Sequence, residues 1–155
     1  MGNDTSITTK FKVDISDLKK GITDANKNIK LANAQFRSAT AGMDDWQKSS
    51  DGLGAKLKQL QSILQSESGK LKSYKEQLNK VQEAESENAR RVEEAKKAYQ
   101  EIVNQYGANS NEAKKYAKAL NDCEKEQKAN AEAGEKLQIT ILNQTATVKK
   151  LSKEL

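Results

Sequence analysis

The sequence predicts an all-α protein made of long coiled-coil helices, and three observations support this fold class. Only 35% of its 155 residues are hydrophobic and 5% are aromatic, whereas 32% are charged. A thick globular core normally draws on about 45–50% apolar residues, so only narrow seams between helices can be filled. The chain has no proline, a residue that costs about 3 kcal/mol in a helix interior. Its apolar residues also recur at alternating steps of three and four.

The first part of the chain is expected to be an extended segment over residues 1–14 and a helical segment over residues 15–50. Four residues alternate with polar neighbours, as in a short strand: Ile7, Thr9, Phe11 and Val13. A three-four rhythm of apolar residues then runs from Leu18 to Trp46. Gly42 and the run from Ser49 to Gly52 are the expected break points, because glycine costs nearly 1 kcal/mol inside a helix.

The clearest heptad pattern covers residues 53–106. Its seam contains Leu53, Leu57, Leu60, Leu64, Leu71, Tyr74, Leu78, Val81, Val92, Tyr99 and Ile102. Polar residues interrupt it at Glu67, Glu85 and Asn88. A 3.5-residue repeat kept over about eight heptads is typical of a coiled coil. At 1.5 Å per residue, such a helix would be roughly 80 Å long.

A break after this helix is predicted at Gly107, Asn109 and Ser110, which we interpret as a hinge. Glycine can take the left-handed conformation that ends a helix, and Asn or Ser can cap the next one. A second heptad helix is expected over residues 111–155, with its seam at Leu120, Leu137, Ile141, Val148 and Leu151.

A short connection normally makes neighbouring helices antiparallel. Folding the chain back about residues 108–109 places Glu85 and Asn88 opposite Gln127, Asn130 and Gly134. We therefore predict an antiparallel hairpin whose polar layer, Glu85, Asn88, Gln127 and Asn130, helps fix the register. A parallel bundle of several chains with an open hinge is the rival arrangement, and both remain possible from the pattern.

Composition argues against most chemical functions. The chain has no histidine and a single cysteine, Cys123, which removes imidazole-based catalysis, an internal disulfide and cysteine-rich zinc sites. The most apolar short run, Ile139 to Leu142, is far from the ~20 residues that span a bilayer. We expect no enzyme activity, no catalytic, cofactor-binding or metal-binding residues, no small-molecule substrate and no membrane contact from this segment. The N-terminus lacks the features of a signal peptide.

The net charge of +5, from 27 basic and 22 acidic residues, is mild. Lys56 and Lys58 recur two heptads later as Lys70 and Lys72, and such a stripe could touch phosphates. The same lysines fit the flanking positions of a coiled coil, and no basic fork or aromatic-basic RNA motif accompanies them. Binding to nucleic acid is therefore not expected.

Two sequence blocks resemble the N-terminal region of tail tape-measure proteins of long-tailed, non-contractile phages and prophages of Gram-positive bacteria. The first runs from Ala41-Gly42-Met43-Asp44-Asp45-Trp46 through Leu53 to Leu60, and the second is Tyr106-Gly107-Ala108-Asn109-Ser110 with Glu112-Ala113. The resemblance covers most of the chain, and its most distinctive part is Met43-Asp44-Asp45-Trp46.

This resemblance implies an extended helical protein that templates the tail tube and sets tail length. The implied partners are further copies of the chain, the tail tube protein and tail assembly chaperones. The implied location is the lumen of the virion tail, after synthesis in the host bacterial cytoplasm. Family members are usually much longer, so the chain is expected to be an N-terminal fragment, and their lytic or membrane-crossing activities do not carry over.

Two other functional classes remain open from the sequence. One is a generic coiled-coil adaptor or a secreted helical-hairpin protein. The other is a basic coiled coil that binds nucleic acid, which would show binding that weakens steeply with salt.

Overall fold

A computed structural model describes residues 13–155. These residues form helix α1 (Ser16–Thr40), a short 3-10 helix (Trp46–Lys48), helix α2 (Ser50–Tyr106) and helix α3 (Asn111–Glu154). About 90% of the structure is helical, and residues 13–155 contain no strand. The predicted all-α fold class is therefore confirmed. Of the strand expected at Ile7, Thr9, Phe11 and Val13, the first three residues lie outside the described residues, and Val13 is not part of a strand.

The helices build two compact units. Among the described residues, unit 1 contains Leu78–Lys136 together with residues 13–14, and unit 2 contains Ile15–Gln77 and Leu137–Leu155. Helices α2 and α3 are each divided between the two units, with one segment in each.

In unit 2, helix α1 packs against the first half of α2 in the opposite direction. The hydroxyl of Ser73 donates a 2.7 Å hydrogen bond to the main-chain oxygen of Leu18. The side-chain amide of Gln59 donates to Oδ1 of Asn33 at 2.9 Å. Later residues of α1 therefore contact earlier residues of α2, so the two helices are antiparallel. Ala25 and Ala32 are buried, and their small side chains let the two helices approach closely.

The chain reverses between α1 and α2 through a tight corner. Gly42, just past the end of α1, has a φ of +81°, a conformation that other residues adopt at a steric cost. The rings of Phe36 and Trp46 then meet edge to face, with centroids 5.0 Å apart. Ser49 caps α2, because its Oγ accepts a 2.8 Å hydrogen bond from the backbone N–H of Gly52. The predicted helical segment 15–50 is thus divided by this corner.

In unit 1, the turn between α2 and α3 lies at the predicted hinge. Gly107 has a φ of +89°, and its N–H donates to the oxygen of Val103 at 2.8 Å. The Oγ of Ser110 accepts a 3.1 Å hydrogen bond from the N–H of Ala113 and donates to the oxygen of Gly107 at 2.8 Å. Ser110 is therefore the N-cap of α3, whereas Asn109 is an exposed turn residue.

Most predicted seam residues are at least partly covered. Leu60, Val81 and Val92 are buried. A larger set is half-buried: Leu64, Leu71, Tyr74, Leu78, Tyr99, Ile102, Leu120, Leu137, Ile141, Val148 and Leu151. Small side chains supply much of the remaining buried apolar surface: Ala25, Ala32, Ala84, Ala113, Ala119 and Cys123.

Two seam residues depart from the sequence prediction. Leu53 and Leu57 are 52% and 47% exposed, so the chain itself does not bury them in a seam. The reason is geometric. Helix α3 ends at Glu154, ten residues beyond Gln144, which contacts Glu67 of α2. Ten residues before Glu67 is Leu57, so an antiparallel α3 would end at the level of Leu57 and would not reach Leu53.

Candidate functional site: the polar layers between helices

The polar layer of unit 1 lies at a contact between Gly134 of α3 and Glu85 of α2. Gly134 of α3 is buried, and a Cβ at this position would lie 2.9 Å from Oε1 of Glu85 and 3.6 Å from Cγ1 of Val81. Glycine thus gives the Glu85 carboxylate room inside the contact. Asn88, one turn further along α2, is only 2% exposed.

The structure places all four predicted members of this layer at partly or fully buried positions. Glu85, Gln127 and Asn130 are half-buried, and Asn88 is buried. The Nδ2 atoms of Asn88 and Asn130 are both enclosed and have no hydrogen-bond acceptor among the described residues. A buried N–H donor without an acceptor is uncommon in native proteins.

Unit 2 contains a second polar layer, which joins α2 to α3. The side-chain amide of Gln144 donates a 2.8 Å hydrogen bond to the main-chain oxygen of Glu67, and it also contacts Oε2 of Glu67. That carboxylate forms a 3.4 Å ion pair with Lys70, and both side chains are largely buried. Glu67 therefore has partners for its charge and for its backbone within the helix contact.

Gln144 was not predicted from the sequence to belong to a polar layer. A signal was present, because Gln144 falls between Ile141 and Val148 on the three-four rhythm of α3. Folding the chain about residues 108–109 would nevertheless have paired Glu67 with Lys150 instead. The buried polar residues Ser73 and Gln77 were also missed. Ser73 bonds to a main-chain oxygen, and such a partner leaves no trace in the side-chain pattern.

Cys123 lies in the helix contact of unit 1 and is buried. Burial raises the pKa of its thiol, and the negative charges of Glu126, Asp122 and Glu124 raise it further, whereas Arg91 lowers it. A thiol held in its neutral form packs as a small apolar side chain and is a poor nucleophile.

The exposed side of α2 in unit 1 has a cluster of ion pairs. Arg90 contacts the carboxylates of Glu87 and Glu94, and Arg91 lies 3.4 Å from Glu87. The hydrogen bond from Arg90 is the largest of the influences that lower the pKa of Glu87. Pairs of this kind, three and four residues apart, support an exposed helix surface but contribute little to stability.

Two large apolar side chains stand out on α3 in unit 2. Leu142 is 71% exposed and Ile139 is 60% exposed. Their spacing of three residues places them on one face of the helix. That face is opposite the side on which Gln144 contacts α2, and exposed apolar residues on one face can mark a contact with another chain.

The described residues contain few groups suited to other chemistry. No group of three or more Cys, Asp or Glu side chains within residues 13–155 is placed to hold a metal ion. No helix in this part of the chain is long and apolar enough to cross a membrane.

Comparisons with protein-family models, with curated proteins and with solved structures found no match to this chain. The function therefore has to be argued from its residues and their geometry.

Proposed function

We propose that this chain is a structural segment of a phage tail tape-measure protein and acts without catalytic chemistry of its own. The observation that carries the proposal is α2, which continues for 57 residues without a proline. At 1.5 Å per residue, its contour is roughly 85 Å. A helix of this kind converts residue number into distance at a constant rate, which is the property that a molecular ruler needs.

The sequence blocks that resemble this family also have defined structural roles. Met43-Asp44-Asp45-Trp46 belongs to the corner between α1 and α2, where Trp46 packs on Phe36. Gly107 and Ser110 form the turn between α2 and α3. Both blocks thus supply the reversals that let long helices pack on one another, and a ruler that is stored compactly would need such reversals.

We further propose that α2 and α3 form an antiparallel coiled-coil hairpin. Support comes from each unit separately. In unit 1, Gly134 of α3 lies against Val81 and Glu85 of α2, and the two helices are joined by the capped turn at Gly107. In unit 2, Gln144 bonds to Glu67. The polar layers stabilise one register over others, because a shift by one heptad would set a charged or amide group against leucines.

The proposed partners follow from the same role. Further copies of the chain would associate through exposed apolar residues such as Leu142 and Ile139. Tail tube protein would polymerise around the helices in the tail lumen, with tail assembly chaperones acting earlier in the host cytoplasm. Nucleic acid, membranes and small-molecule substrates have no part in the proposal.

The test is a length measurement on a paired deletion. Removing residues 91–104 from α2 and residues 113–126 from α3 takes 14 residues from each helix, which is two whole heptads. The deletion leaves the turn at Gly107 and the polar layer at Asn88 and Asn130 in place. It is introduced in frame into the phage or prophage that carries the gene, and tails are measured by electron microscopy.

Three outcomes are distinguishable. If the helices are extended end to end in the tail, the 28 missing residues shorten it by about 42 Å. If the hairpin stays closed, the loss is about 21 Å. Tails of unchanged length would show that this segment does not measure length. A variant with Lys96→Gln and Lys114→Gln, both exposed within the deleted segments, keeps the residue number and should leave tail length unchanged.

A further inference from the structure

A groove runs along unit 2 between α1 and α2. It consists of two hollows, of about 540 Å³ and about 200 Å³, which share the lining residues Ala32, Gln35 and Ser62. All the residues that line it belong to α1 or α2, so α3 of the same chain does not fill it. Helices pack by setting ridges of side chains into grooves, and this groove has the form that receives a further helix.

A ridge that could enter such a groove lies on α3 of the same unit. The three most exposed large apolar side chains of residues 13–155 are Leu142, Ile139 and Leu31, at 71%, 60% and 55%. Leu142 and Ile139 form the ridge, on the face of α3 that points away from the Gln144 contact, and Leu31 lines the groove. A contact between the ridge and the groove would bury apolar surface that each of them exposes to water.

We propose that the groove of one copy of the chain receives the Leu142 ridge of a second copy. This inference rests on the self-association proposed above and names the two surfaces that meet. Because the ridge and the groove are different surfaces, the contact is heterologous, and each pair of copies has one groove and one ridge still free. Further copies can join through the same contact, so the assembly grows from one copy to the next.

The lining of the groove has a negative end and a positive end. Of the described residues that line the larger hollow, Asp24 alone is charged, and in the smaller hollow Lys58 alone is charged. Lys20 and Lys27, which neighbour Asp24 on α1, line neither hollow. An incoming helix with a basic segment is therefore favoured when that segment lies at the Asp24 end.

The ridge has a positive charge at the matching distance. Lys149 is exposed and follows Leu142 by seven residues, and Asp24 is exposed and precedes Leu31 by seven residues. Each step keeps to one face of its helix and covers about 10.5 Å. If α3 of the second copy runs antiparallel to α1, Leu142 meets Leu31 and Lys149 meets Asp24. In a parallel arrangement Lys149 would lie near Arg37 instead, and the two positive charges would repel each other.

The first test measures association of the full chain by sedimentation equilibrium, with two variants that each lose one surface. Leu31→Lys blocks the groove, and Leu142→Lys blocks the ridge. Each variant alone should associate at least about tenfold more weakly than the natural sequence, because a charge replaces an apolar contact. Ala34→Lys adds the same charge at an exposed position of α1 outside the groove lining and should associate as the natural sequence does.

An equal mixture of the two blocked variants distinguishes this contact from a symmetric one. The intact groove of Leu142→Lys chains can receive the intact ridge of Leu31→Lys chains. With one variant labelled with ¹⁵N, native mass spectrometry should therefore show pairs that contain one copy of each, and nothing larger. If α3 paired with α3, Leu31→Lys would associate as strongly as the natural sequence and the mixture would contain no mixed pairs. Either of these results, or a natural chain that is monomeric at all concentrations, would overturn the proposal.

An exchange of charges tests the direction of the second helix. Asp24→Lys and Lys149→Asp should each weaken association severalfold, and the two together in one chain should recover most of the loss, because the pair forms again with its charges exchanged. A double variant as weak as the two losses combined would contradict the antiparallel register. All these positions are exposed, and circular dichroism should show unchanged helix content.

These measurements do not involve the phage tail, so their failure differs from failure of the proposed function. Loss of the mixed pairs, together with tails that the paired deletion shortens, would remove the groove contact and leave the tape-measure proposal in place. Mixed pairs together with tails of unchanged length would have the opposite meaning.

Discussion

The side-chain amide of Gln144 in α3 donates a 2.8 Å hydrogen bond to the main-chain oxygen of Glu67 in α2. The same amide contacts the Glu67 carboxylate, which also pairs with Lys70. Three polar groups are therefore satisfied within one largely buried contact of unit 2. Removing one of them leaves a charge with fewer partners in a region of low dielectric constant, and such a loss costs more than the removal of an exposed pair.

We predict that Gln144→Ala lowers the free energy of unfolding by about 1.5–3 kcal/mol, the range for hydrogen bonds to charged groups. Urea denaturation followed by circular dichroism measures the change. The matched control is Gln138→Ala, an exposed glutamine on the same helix, which should change stability by less than about 0.5 kcal/mol. Equal effects of the two substitutions would mean that the Gln144–Glu67 contact does not stabilise the unit.

Much of this architecture could be predicted from the sequence. The lack of proline and the heptad rhythm indicated an all-α chain, and the Gly107–Ser110 run has the chemistry of a helix end followed by an N-cap. The return of α1 along α2 was not predicted. Gly42 indicated a break but not the direction of the chain after it, and the bond between Ser73 and Leu18 uses a main-chain oxygen that the sequence pattern does not record.

The polar layers show a similar limit. Asn88 and Asn130 were placed in one layer because they are nearly equidistant from the hinge at residues 108–109. Gln144 is further from the hinge, and it contacts Glu67 rather than Ser73, which a fold about residues 108–109 would place opposite it. Which residues of two packed helices face each other depends on the volumes of the side chains between them, and the heptad pattern does not specify those volumes. The exposure of Leu53 depends on where α3 ends, which is likewise a tertiary property.

Changing each of three glycines within α2 and α3 to alanine should alter the free energy of unfolding by different amounts. At Gly69, nothing lies within 4 Å of the added Cβ, so Gly69→Ala should stabilise by about 0.8–1 kcal/mol through helix propensity. At Gly134 the nearest atom, at 2.9 Å, is the end of the flexible Glu85 side chain. That side chain can move, so Gly134→Ala should stabilise by about half as much.

Gly52→Ala should be destabilising, because the Cβ would lie 2.2 Å from the main-chain oxygen of Trp46. That main-chain oxygen is part of the corner between α1 and α2, so it cannot move unless the corner moves with it. Overpacking of this kind typically costs about 1–3 kcal/mol. Urea denaturation of the three variants tests the order. A Gly52→Ala protein at least as stable as Gly69→Ala would show that the corner is not tightly packed.

The Cys123 thiol should make stability depend on pH in the alkaline range. Burial is the largest cause of its raised pKa, and nearby acidic residues add to it while Arg91 opposes it. The folded chain therefore favours the neutral thiol. The contribution of this neutral thiol to the free energy of unfolding is fully present below the ordinary thiol pKa of about 8.5. It is lost as the pH rises through the higher pKa of the folded chain.

We expect the free energy of unfolding to fall between about pH 8 and pH 10 more steeply in the natural sequence than in Cys123→Ala. Lysines and tyrosines also titrate near the upper end of this range, and the difference between the two proteins removes their common contribution. Parallel curves would show that the thiol titrates alike in the folded and unfolded chains.

Self-association should depend on the exposed face of α3. Leu142→Lys places a charge where apolar surface would be buried against a second copy. Each Å² of apolar surface that is no longer buried weakens the association by roughly 25 cal/mol. Sedimentation equilibrium should show at least a tenfold weaker association. Thr147→Lys adds the same charge at an exposed position of α3, about 140° around the helix from Leu142, and should have a smaller effect. A chain that is monomeric at all concentrations, or an unchanged association constant in Leu142→Lys, would remove this face from the proposal.

The antiparallel hairpin can be separated from a parallel bundle of several chains by a disulfide. Val81 Cγ1 lies 3.6 Å from the Cβ position of Gly134, and a cysteine Sγ at position 81 could take the place of Cγ1, within reach of a thiol on residue 134. In a Cys123→Ala background, Val81→Cys with Gly134→Cys should oxidise to an internally linked monomer, seen by non-reducing electrophoresis and intact mass. The yield should not depend on protein concentration, because both thiols belong to one chain.

The matched control combines Gly134→Cys with Gln82→Cys, an exposed neighbour of Val81 on α2. Because its side chain points away from α3, this pair should oxidise slowly and give mixed products. If the hinge at Gly107 were open, the two cysteines of one chain would be far apart. Val81→Cys with Gly134→Cys would then yield mainly linked dimers and larger species that increase with concentration. Such a result would replace the hairpin by an association between chains, and the paired deletion in the tail would have to be redesigned on α2 alone.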